Sequence, residues 1–262
     1  MTTVSIVGDA ATTTAVAVAA SWPADRTRTV IELDPTGGAL AGWLDAPLSP
    51  SISTLVTHSR REGLTRDVLE PLIHRSGSGI DVIVAPVRAT ESWRAVAEAD
   101  PIVADAVRAG ISFDVLLDHG ALDPRHPLPT SLLAADAVVL VHRQPVTARA
   151  AAVRVDRLTE TAERLAAATA APLTLAVIGD DPFDPAEIST FVGDSAQRAI
   201  AVAPLPVDDL AAAVLAGRPG VSRRRLARMS LLRAGGQLAA DVLATADPAR
   251  DHANAGTSSG LR

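Results

Sequence analysis

The chain has 262 residues, 48% of them hydrophobic and 21% charged, with a formal net charge of -6, and all 24 of its basic residues are arginine. The absence of lysine excludes Schiff-base catalysis and the phosphate-gripping lysine of nucleotide-binding loops. The absence of cysteine excludes thiol nucleophiles, disulfides and thiolate metal sites, and with no Tyr, 3 Phe and 3 Trp there is little material for base-stacking platforms.

Short apolar, β-branched runs alternate with helical stretches along the chain. Strands are expected at residues 4–7, 29–33, 80–85, 113–117, 137–141, 173–178 and 200–203. Helices are expected at 12–21, 51–59, 65–75, 91–109, 147–168, 185–192, 208–216 and 222–244, from apolar residues spaced three and four apart. Pro101 is expected to kink or split its helix. The pattern predicts an α/β fold, a mostly parallel central sheet of about seven strands with helices on both faces. Residues 1–246 read as a single domain, and 247–262, polar and small, as a disordered tail. The first residues, MTTVSIVGDA, carry no basic leader and no apolar run reaches the ~18 residues of a membrane span, so a soluble cytoplasmic protein is expected.

The first strand ends in V-G-D-A-A-T-T-T and runs into an alanine-rich helix, the order of elements that builds a phosphate site at a helix N-terminus. The second strand, V-I-E-L-D-P-T-G-G, places Asp34 at its carboxyl end, and F-D-V-L-L-D-H-G does the same for Asp118. Carboxylates at strand ends beside such a turn hold Mg²⁺ and its waters in phosphoryl-transfer sites. Each residue also has a plain structural reading: Thr13 as a first-turn threonine, Asp34 as a turn residue before Pro35, Asp118 as a strand-end cap.

These motifs, with G-I-D-V-I-V-A-P-V, A-A-D-A-V-V-L-V-H-R-Q-P-V-T-A-R and A-V-A-P-L-P-V-D-D following in order, resemble the MinD/ParA family of deviant P-loop ATPases from about Thr3 to Ala244. The resemblance implies that Gly8, Asp9, Thr12, Thr13 and Thr14 form the counterpart of the phosphate loop. It makes Thr13 the counterpart of the Mg²⁺-ligating hydroxyl, Asp34 of the switch aspartate and Asp118 of the Walker B carboxylate. The family's K-G-G-x-G-K-S/T-S/T is replaced here by residues 7–14, with Val7 and Thr12 in place of both lysines and Asp9 and Ala11 in place of two glycines. Asp9 brings a negative charge to the phosphate position, or else caps the following helix. The site is therefore expected to be vestigial, with no cofactor, or with Mg-ATP or Mg-ADP bound weakly at most.

Arg218, Arg223, Arg224, Arg225, Arg228 and Arg233 crowd around the start of the last helix, whose apolar residues Leu226, Met229, Leu232, Leu238 and Val242 are expected to dock it on the sheet. The cluster reads either as a solvated face or as a weak contact for DNA or anionic membrane. The six histidines show no metal-ligand spacing, and His119 is notable only for following Asp118. Three functions follow from the resemblance: a pseudo-ATPase scaffold or positioning factor, a residual ATPase with arginines in place of lysine, or a non-specific DNA-binding partition factor. Relatives with atypical loops, the TadZ/CpaE type, position pilus and secretion assemblies, which implies self-association or a secretion-type ATPase as partner. Residues 35–44, with Trp43, and 121–128 are the expected interface.

Overall fold

The computed structural model describes residues 1–62, 66–76 and 79–246. In chain order the elements are β1 (Thr3–Gly8), α1 (Ala11–Ala20), β2 (Arg28–Glu32), α2 (Leu40–Trp43), α3 (Ile52–Glu62), α4 (Arg66–Leu69) with a 3₁₀ turn (Glu70–Leu72), β3 (His74–Arg75), β4 (Asp81–Ile83) and α5 (Ala89–Ala109). There follow β5 (Asp114–Asp118), α6 (Thr130–Leu133), β6 (Ala137–Arg143), α7 (Ala148–Ala168), β7 (Leu173–Ile178), α8 (Pro185–Ser195), β8 (Ala201–Leu205), α9 (Asp209–Leu215), α10 (Arg223–Leu226) and α11 (Ser230–Ala246). The strands form one sheet in the order β3-β4-β2-β5-β1-β6-β7-β8, parallel throughout except for β3 against β4.

The alternation of side chains along each strand divides the core into layers. On one face Val139 and Val141 of β6 pack with the alanine-rich α1 and with Leu232, Leu238 and Val242 of α11. On the other, Val138 and Leu140 meet Val155, Leu158 and Leu165 of α7, while Val115 and Leu117 of β5 lie with α3 and α5. Helix α7 forms because its apolar residues recur at helical spacing and the Thr147 hydroxyl caps its start by accepting from the Ala150 N–H. The docking expected of the last helix is as predicted: Leu232, Leu238 and Val242 are buried, with Leu226 and Met229 packed against them. Among the described residues no helix is long and apolar enough to cross a membrane.

All seven expected strands are present. β3 is an addition: two polar residues at an antiparallel edge leave no period to read. The helix expected at 65–75 is corrected to α4, the 3₁₀ turn containing Pro71 and then β3, because proline cannot supply the N–H that would continue the helix; residue 65 itself lies outside the described residues. α5 runs through Pro101 without a split, since Pro101 is exposed and the carbonyl it leaves unpaired belongs to Ala97, also exposed. The single helix expected at 222–244 is two, α10 and α11. Asp208 starts the second one: its carboxylate accepts from the Ser230 hydroxyl at 2.7 Å and from the Leu231 N–H at 3.4 Å, while also capping α9 through Ala211. The tail expected at 247–262 lies outside the described residues.

One buried polar knot closes the N-terminal edge of the sheet. Asp114, 3% exposed, accepts from the Thr2 N–H, the Trp22 indole N–H and the Arg26 guanidinium at 2.5–2.8 Å. Burial alone would raise its pKa, but the hydrogen bonds from Arg26, Trp22 and Thr2 outweigh it and hold the carboxyl below its ordinary range. Its contribution to stability is therefore complete above the unfolded-state pKa of about 4 and is lost as pH falls through the lower folded value. Asp114→Ala, which strands three donors, is expected to cost about 2–4 kcal/mol at pH 7 in urea unfolding, with the penalty shrinking at acid pH.

Candidate functional site

β1 lies between β5 and β6, so the turn at its end is flanked by the ends of both neighbours. Gly8 takes φ 110°, and a Cβ there would stand 2.2 Å from the Val141 carbonyl oxygen, so only glycine fits. The Gly8 N–H donates to the Gly120 carbonyl at 2.8 Å and the Asp9 N–H to the Val141 carbonyl at 3.0 Å. Both bonds carry the parallel ladders of β1 with β5 and β6 on into the turn. Ala10 occupies the left-handed region at φ 61° and precedes α1 without a side-chain cap.

The expectation that Asp9 caps α1 is corrected. Its carboxylate turns away from the helix and accepts from Arg154 of α7 at 2.8 Å. A guanidinium offers a whole positive charge and a directed donor, where the helix terminus offers about half a charge. Both side chains remain 43–48% exposed, so the pair contributes at most about 1 kcal/mol to stability. Thr12 and Thr13 are half-buried in the first turn of α1. Thr14 lies in the same helix, 1% exposed, and its hydroxyl has no hydrogen-bond partner among the described residues.

The carboxylates come together as expected, with one more than the sequence indicated. Asp118 is fully buried; one oxygen accepts from the Gly120 N–H at 3.1 Å and the other has no partner within hydrogen-bond geometry. Burial pushes its carboxyl up to about 7; the nearby Thr12 hydroxyl and the Gly120 amide oppose the shift, and the charges of Glu32 and Asp34 add to it. Asp34 makes the turn that its plain reading gives it, accepting from the Thr36 N–H and hydroxyl at 2.8 and 2.7 Å, and its carboxylate rests against Gly120, where a Cβ would stand 2.3 Å from Oδ2. Glu32, missed in the sequence, pairs in register with Asp118. Its carboxylate accepts from the N–H groups of Ala39, Leu40 and Ala85 at 2.6–2.9 Å, fastening the ends of β2, α2 and β4 together. Burial raises its pKa, the three amides oppose, and Asp34 adds to the rise. The one available signal was a glutamate inside the apolar run V-I-E-L.

Among the described residues no three His, Asp or Glu side chains are arranged to hold a metal ion. The residues present also fit Mg-ATP poorly: no lysine exists to grip the phosphates, and a carboxylate, that of Asp9 paired with Arg154, stands on the turn. His119 is buried on the face opposite Asp118, with Nε2 3.3 Å from the Ser5 hydroxyl. Burial lowers its pKa to about 4, so adjacency to Asp118 in sequence gives it no part in the acid cluster. Arg218, Arg224, Arg225, Arg228 and Arg233 are exposed and form no ion pair among the described residues; the side chain of Arg223 lies outside them. Trp43 is half-buried against the α1 and α11 core, whereas Trp93 is 57% exposed.

No protein-family model matches the chain, and no curated protein matches it in sequence. Solved structures do match in three dimensions, and they define its class: an α/β P-loop NTPase fold of the ParA/MinD type. They include a ParA family ATPase from Chlorobium tepidum, 17% identical, over 91% of this chain and 97% of that one, with a TM-score of 0.65. Cobyrinic acid a,c-diamide synthase from Mycobacterium smegmatis, with bound ATP analogue and magnesium, is 16% identical over 93% and 95%, with a TM-score of 0.53. The MinC:MinD cell division protein complex of Aquifex aeolicus is matched at 14% identity over 93% of this chain and 96% of that one, with a TM-score of 0.51. At these identities the likeness establishes the fold and leaves the function to the site.

The raised pKa of Asp118 fixes the sign of a pH effect. The folded state holds this proton up to about pH 7 while the unfolded chain releases it near 4, so stability falls as pH rises across that window. Asp118→Asn is expected to be more stable than wild type at pH 8 by about 1–4 kcal/mol in urea unfolding, and the advantage should disappear near pH 4.

Proposed function

We propose that this protein is a ParA/MinD-like pseudo-ATPase that works as a scaffold or positioning factor, with its nucleotide site closed. The observation that carries the reading is the Asp9–Arg154 ion pair on the turn where a P-loop would receive phosphate. A carboxylate about 4 Å from a phosphate oxygen at an effective dielectric of ~20 costs on the order of 4 kcal/mol, roughly a thousandfold in affinity. The missing lysines add to that cost. Calorimetry is expected to show no binding of Mg-ATP at millimolar concentration, and Asp9→Gly with Ala11→Gly and Thr12→Lys is expected to restore measurable binding. A micromolar dissociation constant for wild type, or ATP turnover abolished by Asp118→Ala, would sink the reading in favour of a residual ATPase.

The working surface in this reading lies beside the closed site, where Pro35, Leu122, Leu128 and the exposed Trp93 rim an apolar cavity of about 430 Å³. Without nucleotide to join the halves, self-association there rests on direct contacts. Sedimentation is expected to give a dimer indifferent to ATP and dissociated by Trp93→Glu; a monomer throughout would leave a heterologous protein as partner.

The exposed arginines favour a second contact, with DNA or an anionic membrane. Binding of duplex DNA is expected to be weak, with a salt slope that flattens by about one unit for each of Arg224, Arg225 and Arg228 replaced by alanine. Equal binding by wild type and the triple variant at low salt would reduce the cluster to a solvated face.

A further inference from the structure

The sheet face opposite α1 carries a polar feature that the nucleotide question does not use. β6 alternates so that Val139 and Val141 face α1 while Val138, Leu140 and His142 face α7. His142 is 2% exposed, and its Nε2 has no hydrogen-bond partner among the described residues. Leaving a buried ring nitrogen unpaired is costly, and native interiors avoid it unless something else meets the atom. Burial also lowers the histidine's pKa, so the ring is neutral and able to present an N–H without a charge of its own.

His142 lines a cavity of about 220 Å³ under the Gly8–Asp9 turn, walled by α7 through Arg154, Arg157 and Thr161. Two guanidinium groups thus face a single carboxylate, that of Asp9, leaving the lining with a net positive charge. Arg157 has no ion-pair partner among the described residues. Arg154 has one, but that pair is about half exposed and therefore easily exchanged for a better anion.

We propose that this cavity is an oxyanion site that takes the phosphoryl group of inorganic phosphate or a small phosphomonoester on Arg154, Arg157 and His142, with Asp9 as the built-in competitor for Arg154. A tetrahedral anion supplies enough oxygens to meet two guanidinium forks and one ring N–H at once, which a carboxylate does not. The site differs from the family's phosphate position because, apart from the Gly8–Asp9 turn, its walls come from the end of β6, from α7 and from Ala121 and Leu122, with no residue of α1 among them.

Titration calorimetry with inorganic phosphate and with phenyl phosphate tests this, with ring-nitrogen NMR of His142 as a second readout. Saturable millimolar binding is expected, tightened about fivefold by Asp9→Asn, because that change removes the competitor. Arg157→Gln, at an exposed position, is expected to weaken binding about tenfold or more without changing thermal unfolding, and His142→Phe likewise where it folds. Thr13→Val, at the start of α1, should leave binding unchanged. Tighter binding of phenyl phosphate would identify an ester as the ligand, and equal binding free phosphate; both support the site. Absence of saturable binding, binding that survives Arg157→Gln, or binding lost on Thr13→Val would overturn it. Failure here would leave the proposed closure against ATP intact, since that rests on the Asp9–Arg154 pair and the missing lysines, which stand whether or not Arg157 and His142 take a phosphate.

Discussion

The exit from the first strand constrains everything around it. Because β1 sits between β5 and β6, its last residue must pass between two strand ends, and Gly8 does so in a backbone conformation whose missing Cβ is the space taken by the Val141 carbonyl. The amides of Gly8 and Asp9 then sew the turn to the Gly120 and Val141 carbonyls on either side. This stitching fixes where Asp118 and Asp34 meet Gly120, and it aims Asp9 toward α7 instead of along α1.

What the sequence made legible follows from the range of each interaction. The strands were readable because a strand buried on both faces shows itself as an unbroken apolar run, as in Val138 to Val141 and Leu175 to Ile178. α7 and the docked face of α11 were readable because their stripes repeat every three to four residues. The break between α10 and α11 was not, because the group that starts the new helix is Asp208, 22 residues earlier in the chain. Asp9 was recognisable as an intrusion into the phosphate turn, but its partner lies 145 residues away and leaves no local trace. Trp43 and Trp93 were equivalent as letters; only packing separates the half-buried one from the exposed one.

The acid cluster illustrates how a fold accommodates charge near a site that offers no lysine. Three carboxyl groups approach one another at the ends of β2 and β5, and each is accommodated differently. Glu32 is held by three backbone amides, Asp34 by the Thr36 turn, and Asp118 by retaining its proton up to about pH 7. Protonation of Asp118 takes one negative charge out of the cluster and so reduces the repulsion within it.

That accommodation changes what the survival of Asp34 and Asp118 means. In a catalytic reading, two strand-end carboxylates beside a helix N-terminus would stand as evidence of phosphoryl transfer. Here each has a structural task independent of any ligand: Asp118 orients Gly120, whose carbonyl receives the Gly8 N–H, and Asp34 closes the turn that lies against Gly120. Removing either would loosen the stitched turn itself. The same fold carries an ATPase, a synthase and a cell division complex among its structural neighbours, so the acids by themselves do not select among those uses. The residues that bear on the choice are Asp9 and Arg154, because their ion pair sets the protein's own charges at the turn that follows β1.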